Sequence, residues 1–249
     1  MKQSLAALVG LFLLCASTTA TGQQQGSGES AGLAGEWGIA VGMGLLWIGP
    51  DLFKADLAPE SCRWCDTDPY GAWSPLGIDR TAANLFRWEE SNAPALASDI
   101  LAFALLPAGL VGTTYAHRGE ADKRFGEDLA LMAQAVAAAG ILNQAVKYTV
   151  GRRRPYAHAD SPPFTSDPDQ NLSFYSGHTS AAFAQVAALS TILFKERSPM
   201  APWSLAIGVP LAAGVGWLRM SADKHYLTDV LTGALLGSLI GWGWVELRR

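Results

Sequence analysis

A chain of 249 residues that is 49% hydrophobic and only 16% charged can build a large apolar interior but little solvated surface. The net charge of -4 excludes a generally basic face, and with it nucleic acid as a partner. Mean hydropathy is a modest +0.15, so much of the chain must lie outside any apolar phase.

The first 22 residues have the layout of a secretory signal. Lys2 is a short positive region, Leu5 to Ala16 an apolar stretch too short to span a bilayer, and Ser17 to Gly22 a small-residue cleavage zone. Cys15 falls inside it, but Leu14 before it does not suit a lipid-attachment site. Residues 23–36 read as a flexible linker, because Gln23 to Ala31 is rich in Gly, Ser and Gln. Trp37 to Ile48 is an apolar run closed by Pro50, short for a spanning helix. Asp51 to Asn92 is polar and rich in turn residues, expected as short helices and loop outside a membrane. Within it, Cys62 and Cys65 cannot make a structural zinc site alone, and export favours a local disulfide between them.

Five apolar segments follow, near Ile100–Tyr115, Leu129–Val146, Ala181–Phe194, Trp203–Leu218 and Leu227–Val245. Ala, Leu and Gly dominate them without strand-like alternation, so helices are expected. Gly233, Gly237 and Gly241 form a stripe on the last, of the kind that lets helices approach closely in membranes. The sum is an all-α bundle of about six core helices, embedded in a membrane. The basic connectors His117 to Asp128, Lys195 to Arg197 and Arg248-Arg249 alternate with those holding the motifs below. With the basic connectors cytoplasmic, the motifs face the periplasm of the inner membrane. Gln134, Asn143, Gln144 and Gln185, polar residues inside apolar runs, instead suit a soluble periplasmic bundle.

Three stretches carry chemistry. Lys147 ends one predicted helix, and Arg154-Pro155 follows after six residues. Ser176-Gly177-His178 precedes another helix, whose free N–H groups suit an anion. Arg219 is followed by His225 and Asp229, four apart and so on one helix face, where a carboxylate can orient an imidazole. Each alone has an ordinary explanation: a basic helix anchor, a Ser-capped turn, a structural His/Asp pair. Together they supply cations for phosphate oxygens, backbone donors, and two histidines to divide the roles of nucleophile and acid.

The set Lys147-x6-Arg154-Pro155, Ser176-Gly177-His178 and Arg219-x5-His225-x3-Asp229 resembles the three signature motifs of the type 2 phosphatidic acid phosphatase and vanadium haloperoxidase superfamily, over about residues 129–245. The resemblance implies a helical domain over residues 37–249 and a phosphatase without cofactor or metal. It implies His225 as the nucleophile forming a phosphohistidine, Asp229 as its orienting partner and His178 as the acid. Lys147, Arg154, Ser176, Gly177 and Arg219 would bind the phosphate. Tyr175 stands where the family has Pro, and Leu218 where it has Ser. The expected partner is a phosphorylated lipid or a small phosphate ester. The alternatives are a soluble periplasmic acid phosphatase of broad specificity, a vanadate-dependent haloperoxidase, or a membrane scaffold without turnover. Oligomeric state is not legible.

Overall fold

The computed structural model describes residues 27–119, 122–158 and 167–249. The expected signal, residues 1–22, lies outside the described residues. Helix α1 runs Ser27–Leu52, followed by a single turn α2, Lys54–Leu57, and by α3, Gly77–Phe86. Then come α4, Asn92–Ile100, a π-type turn Leu101–Leu105, and α5, Leu106–Arg118. Helices α6, Arg124–Val150; α7, Gly177–Lys195; α8, Ala201–Ser221; and α9, Leu227–Arg248 complete the bundle. No strand forms among the described residues beyond isolated bridges, one of which pairs Trp64 with Arg152.

Two expectations at the N-terminal side need correction. The linker placed at residues 23–36 gives way to helix from Ser27 onward, and the run Trp37–Ile48 is the middle of a longer helix. The reason is tertiary. α1 packs on α6, where Gln134 Nε2 donates to Glu36 O and Oε2, and Gln144 Nε2 donates to Asp51 Oδ2. Packing of this kind overrides weak local propensity.

Helix α7 is the centre, touching α9, α8, α6 and α5. Its contact with α9 is backbone to backbone. A Cβ added at Gly233, Gly237 or Gly241 would fall 2.6, 2.2 and 2.4 Å from the carbonyl oxygens of Ser176, Ser180 and Ala184. The stripe read from the sequence is therefore the seam between the helices that open with Ser176-Gly177-His178 and with His225 to Asp229.

The interior is filled largely by small side chains such as Ala102, Ala135, Ala182, Ala188 and Ala212, while Leu45, Leu46, Trp203, Ile207, Leu235 and Trp242 face outward. Five helical stretches, Gly32–Leu52, Asn92–Arg118, Arg124–Val150, Ala201–Ser221 and Leu227–Arg248, are long and apolar enough to cross a membrane. Small residues inside and large apolar residues outside are what lipid-facing helix packing requires. The polar residues in the apolar runs are occupied between helices: Gln185 Nε2 donates to Ala102 O in the π turn, and Asn143 Nδ2 to Tyr175 O.

The bundle has two chemically distinct ends. At one, Arg118 and Arg249 both pair with Glu196 and with Asp128, and His117 Nε2 lies 2.8 Å from Glu196. These are the basic connectors grouped together by the sequence. The three motifs lie at the other end, beneath the segment 53–91, where Cys62 and Cys65 form the expected disulfide.

Candidate active site

Helix α6 stops at Gly151, which takes a left-handed conformation (φ 60°, ψ 41°) and donates its N–H to Lys147 O. The chain then runs extended through three arginines. It is held by Arg63 N–H to Gly151 O and Arg153 N–H to Trp64 O on one side, and by Ser173 N–H to Arg152 O and Arg154 N–H to Gln170 O on the other.

The three arginines have different fates. Arg153 Nη2 donates to Ala157 O in the 3-10 turn Pro155–His158. Arg154, 5% exposed, is anchored by carbonyls: Nε donates to Asp169 O at 2.9 Å and Nη1 to Lys224 O at 3.3 Å. Arg152 is fully buried between the rings of Trp64 and Tyr226, its Cζ 4.1 and 3.9 Å from their centroids. Its five donors are all engaged. Nε and Nη2 reach Asp66 at 2.7 and 3.2 Å, Nη2 also reaches Asp79 at 2.8 Å, and Nη1 reaches Thr228 Oγ1 and Asp229 Oδ1, both at 2.7 Å. Three buried carboxylates thus meet on one guanidinium, an arrangement that Lys could not reproduce.

Asp229 is fixed by this hub. Besides Arg152 on Oδ1, its Oδ2 accepts from Ser173 Oγ at 2.5 Å and from Tyr226 N–H at 3.1 Å, which also caps α9. Oδ2 lies 3.4 Å from His225 Nδ1. The carboxylate faces Nδ1, so Nε2 is the ring nitrogen turned away from it. His225 is 3% exposed, and neither ring nitrogen has a hydrogen-bond partner. Burial, then Arg154, Arg219 and Lys147, hold its pKa well below 6.5, so the ring is neutral.

The predicted phosphate ligands converge on this histidine unequally. Arg154, Arg219 and Lys147 each disfavour a positive charge on it, opposite in sign to the Asp229 carboxylate on Nδ1. Arg219 Nη1 donates to Ser98 Oγ at 3.2 Å, while its buried Nε has no acceptor. At the second motif, a Cβ on Gly177 would fall 2.6 Å from Asn143 Oδ1 and 3.6 Å from Lys147 Nζ, so only Gly lets the turn lie this close to the cation. The Ser176 hydroxyl is buried and pairs with Thr179 Oγ1 at 2.9 Å, leaving the α7 N-terminus without a side-chain cap. Tyr175, in place of the family's Pro, is fully buried and gives its carbonyl to Asn143. His178 Nε2 lies 2.7 Å from Asp99 Oδ1, and the edge-on ring of Phe103 sits at 4.9 Å.

Asp66, Asp79, Asp99, Arg152, Ser173 and Thr228 were not singled out by sequence reasoning. The first three lie upstream of every motif, where no spacing ties them to a histidine. Asp79 sits on an amphipathic helix, Gly77–Phe86, as a buried acid in its first turn, the one local signal available.

A family model described as the PAP2 superfamily matches residues 128–249. Over 119 residues the chain is 33% identical to a lipid A 1-phosphatase of Porphyromonas gingivalis, covering 48% of this chain and 23% of that one. It is 30% identical to a probable diacylglycerol pyrophosphate phosphatase 1 of Schizosaccharomyces pombe, covering 41% of this chain and 47% of that one. The chain thus spans less than half the length of either relative. A crystal structure titled as the first transmembrane PAP2 type phosphatidylglycerolphosphate phosphatase from Bacillus subtilis aligns over 98% of this chain and 94% of that one, at 19% identity and a TM-score of 0.47. A likeness that loose bears on neither fold nor function.

Proposed function

We propose that this chain, whose residues 128–249 match the PAP2 superfamily, is a phosphatase acting without a metal on a lipid phosphate monoester or diphosphate. The observation that carries the reading is a pair of unsatisfied buried nitrogens. His225 Nε2 and Arg219 Nε both lack partners, at a site that Lys147 and Arg154 also charge. Buried polar atoms are rarely left unpaired without a ligand to meet them. A phosphate would offer an acceptor to Arg219 and an electrophilic phosphorus to His225.

In the first step His225 Nε2 attacks phosphorus and the bond to the leaving oxygen breaks, its electron pair staying on that oxygen. His178 gives the oxygen a proton. In the second step water attacks the phosphohistidine, His178 takes back a proton, and inorganic phosphate departs. Lys147, Arg154 and Arg219 offset charge on the non-bridging oxygens throughout. The carboxylates Asp66, Asp79 and Asp229 do not form an open metal site, because Arg152 and Thr228 occupy them.

Lipid substrates are supported by the outward apolar surface and by the lipid phosphatases named among the relatives. Phosphatidate, phosphatidylglycerol phosphate, a polyprenyl diphosphate and the phosphates of lipid A are the candidates. The ends of the bundle support the orientation: the cluster of Arg118, Arg124 and Arg249 faces the cytoplasm and the motif end the periplasm. Phosphate release from these lipids and from soluble esters, in detergent with chelator present, is the test. Turnover is expected on at least one lipid and lost in His225→Ala. Turnover confined to soluble esters, dependence on added metal, or an active His225→Ala would overturn the reading.

A further inference from the structure

Acid catalysis needs a histidine whose ring is held still, with its proton on the nitrogen that faces the leaving group. We infer that Asp99, outside all three motifs, is the positioning residue that does this for His178. The inference rests on the phosphatase reading above. Asp99 Oδ1 lies 2.7 Å from His178 Nε2, a hydrogen-bond distance. The same oxygen is 3.5 Å from Arg219 Nη1, and the preceding residue, Ser98, accepts from that same nitrogen. The end of α4 therefore braces the acid and a phosphate-binding cation together. Phe103, in the π turn that follows α4, sets its ring edge-on to His178 at 69° and limits rotation.

The charged groups acting on the His178 ring are Arg219 from α8, Asp99 from α4 and Lys147 from α6. Burial and then Arg219 hold the His178 ring below the ordinary histidine value, with the Asp99 carboxylate opposing them, so the free ring is neutral and the proton on Nδ1 is brought by the acidic O–H of a bound phosphate monoester monoanion. With Nε2–H donated to Asp99, Nδ1 is the nitrogen left to serve the substrate. The site thus holds two Asp/His pairs of opposite sense. Asp229 faces Nδ1 of the nucleophile and leaves Nε2 to attack. Asp99 binds Nε2 of the acid and leaves Nδ1–H to be given up. When the P–O bond breaks, the Nδ1 proton moves to the departing oxygen, and His178 remains as the neutral ring with hydrogen on Nε2, still bound to Asp99.

The experiment separates this role from a structural one by changing only the demand for a proton. The lipid monoester turned over fastest is compared with the same lipid carrying sulfur in the bridging position, whose thiolate leaves unprotonated. In Asp99→Asn, kcat on the oxygen ester is expected to fall about 10²-fold, the lower end of what acid–base catalysis contributes, and on the sulfur analogue less than about threefold. His178→Ala should show the same contrast, and the double variant should be no slower than His178→Ala alone. Asp99 is partly exposed and α4 short, so Asp99→Asn should fold, which thermal unfolding checks. Equal losses on both lipids, or no loss on either, overturn the positioning role. A wild-type protein that releases phosphate from neither lipid overturns the phosphatase reading itself, and this inference with it.

Discussion

Replacing Arg152 with Lys tests whether Asp229, the carboxylate facing His225, is held by the buried hub or only by its own helix. Lys keeps the charge but has three donors in place of five and no planar group to lie between Trp64 and Tyr226. At least two of the contacts to Asp66, Asp79, Thr228 and Asp229 must be lost. Hydrogen bonds to charged groups contribute about 1.5–3 kcal/mol each, so the loss is about 3–6 kcal/mol before repacking. Against a total stability of about 5–15 kcal/mol this is a large fraction, but not always enough to unfold the chain. Thermal unfolding in detergent, followed by the fluorescence of the nine tryptophans, should move down by roughly 10 °C. Where the variant stays folded, kcat should still fall, because Asp229 Oδ1 loses its partner and the carboxylate facing His225 is freed to turn. Arg153→Lys is the control, since Arg153 donates to a single carbonyl of the 3-10 turn. An Arg152→Lys protein with wild-type melting and turnover, or an Arg153→Lys protein equally damaged, would refute the assignment of the hub.

Other consequences can be measured on the same preparation. Gly237→Ala puts a Cβ 2.2 Å from Ser180 O, so α7 and α9 must separate, at a cost of about 1–3 kcal/mol and with loss of kcat as the two motif turns move apart. Gly243→Ala on the same helix meets nothing within 4 Å and should be silent in both assays. His225 is expected to remain neutral in the folded protein at pH values where an ordinary histidine, near 6.5, is protonated. With the folded value depressed, the unfolded chain takes the proton first. The residue's contribution to stability is therefore complete above about pH 6.5 and lost as pH falls below it. With four histidines in the chain, ring resonances assigned by single substitutions can follow this directly, and a His225 that titrates at or above 6.5 would contradict it.

What the sequence revealed was local, and what it hid was not. The helices after Asn92 could be read because each apolar run keeps its own composition from end to end. The pairing of His225 with Asp229 was legible from its four-residue spacing, but not as one helix face: α9 begins at Leu227 with Tyr226 as its cap, so His225 stands in the turn before it, and only Asp229 is helical. The Gly stripe was legible because its four-residue spacing is a property of one helix. Arg152 was hidden by its neighbours. In a run of three arginines, nothing local distinguishes the one that turns inward from the one that reaches the site. Asp66, Asp79 and Asp99 were hidden by distance along the chain, since an acid in a polar loop or helix cap has an ordinary explanation until its partner is seen. The N-terminal helix was underread for a related reason. Gly- and Ser-rich residues 27–36 have no strong propensity of their own, and contacts with α6 such as Gln134 to Glu36 hold the helix there.

Charge placement explains how a chain of net charge -4 can present a cationic site. Three of its buried carboxylates, Asp66, Asp79 and Asp229, are gathered on Arg152, which does not face the substrate. The cations left for a ligand are Lys147, Arg154 and Arg219, and the acids near them have other attachments. Asp99 is bound to His178 and braces Arg219 from 3.5 Å. Asp169 is bound to Lys54 at 2.9 Å and stands 3.9 Å from Arg154. Burial works against ionisation of Asp169, but Arg154 and Lys54 outweigh it and hold the carboxyl below the usual range. A phosphate entering the site would meet that carboxylate as a competitor for Arg154, so Asp169→Asn should tighten inorganic phosphate as a product inhibitor. Phosphate inhibition constants for the two proteins decide it, and a weaker inhibition in Asp169→Asn would place Asp169 as a support for Arg154 instead.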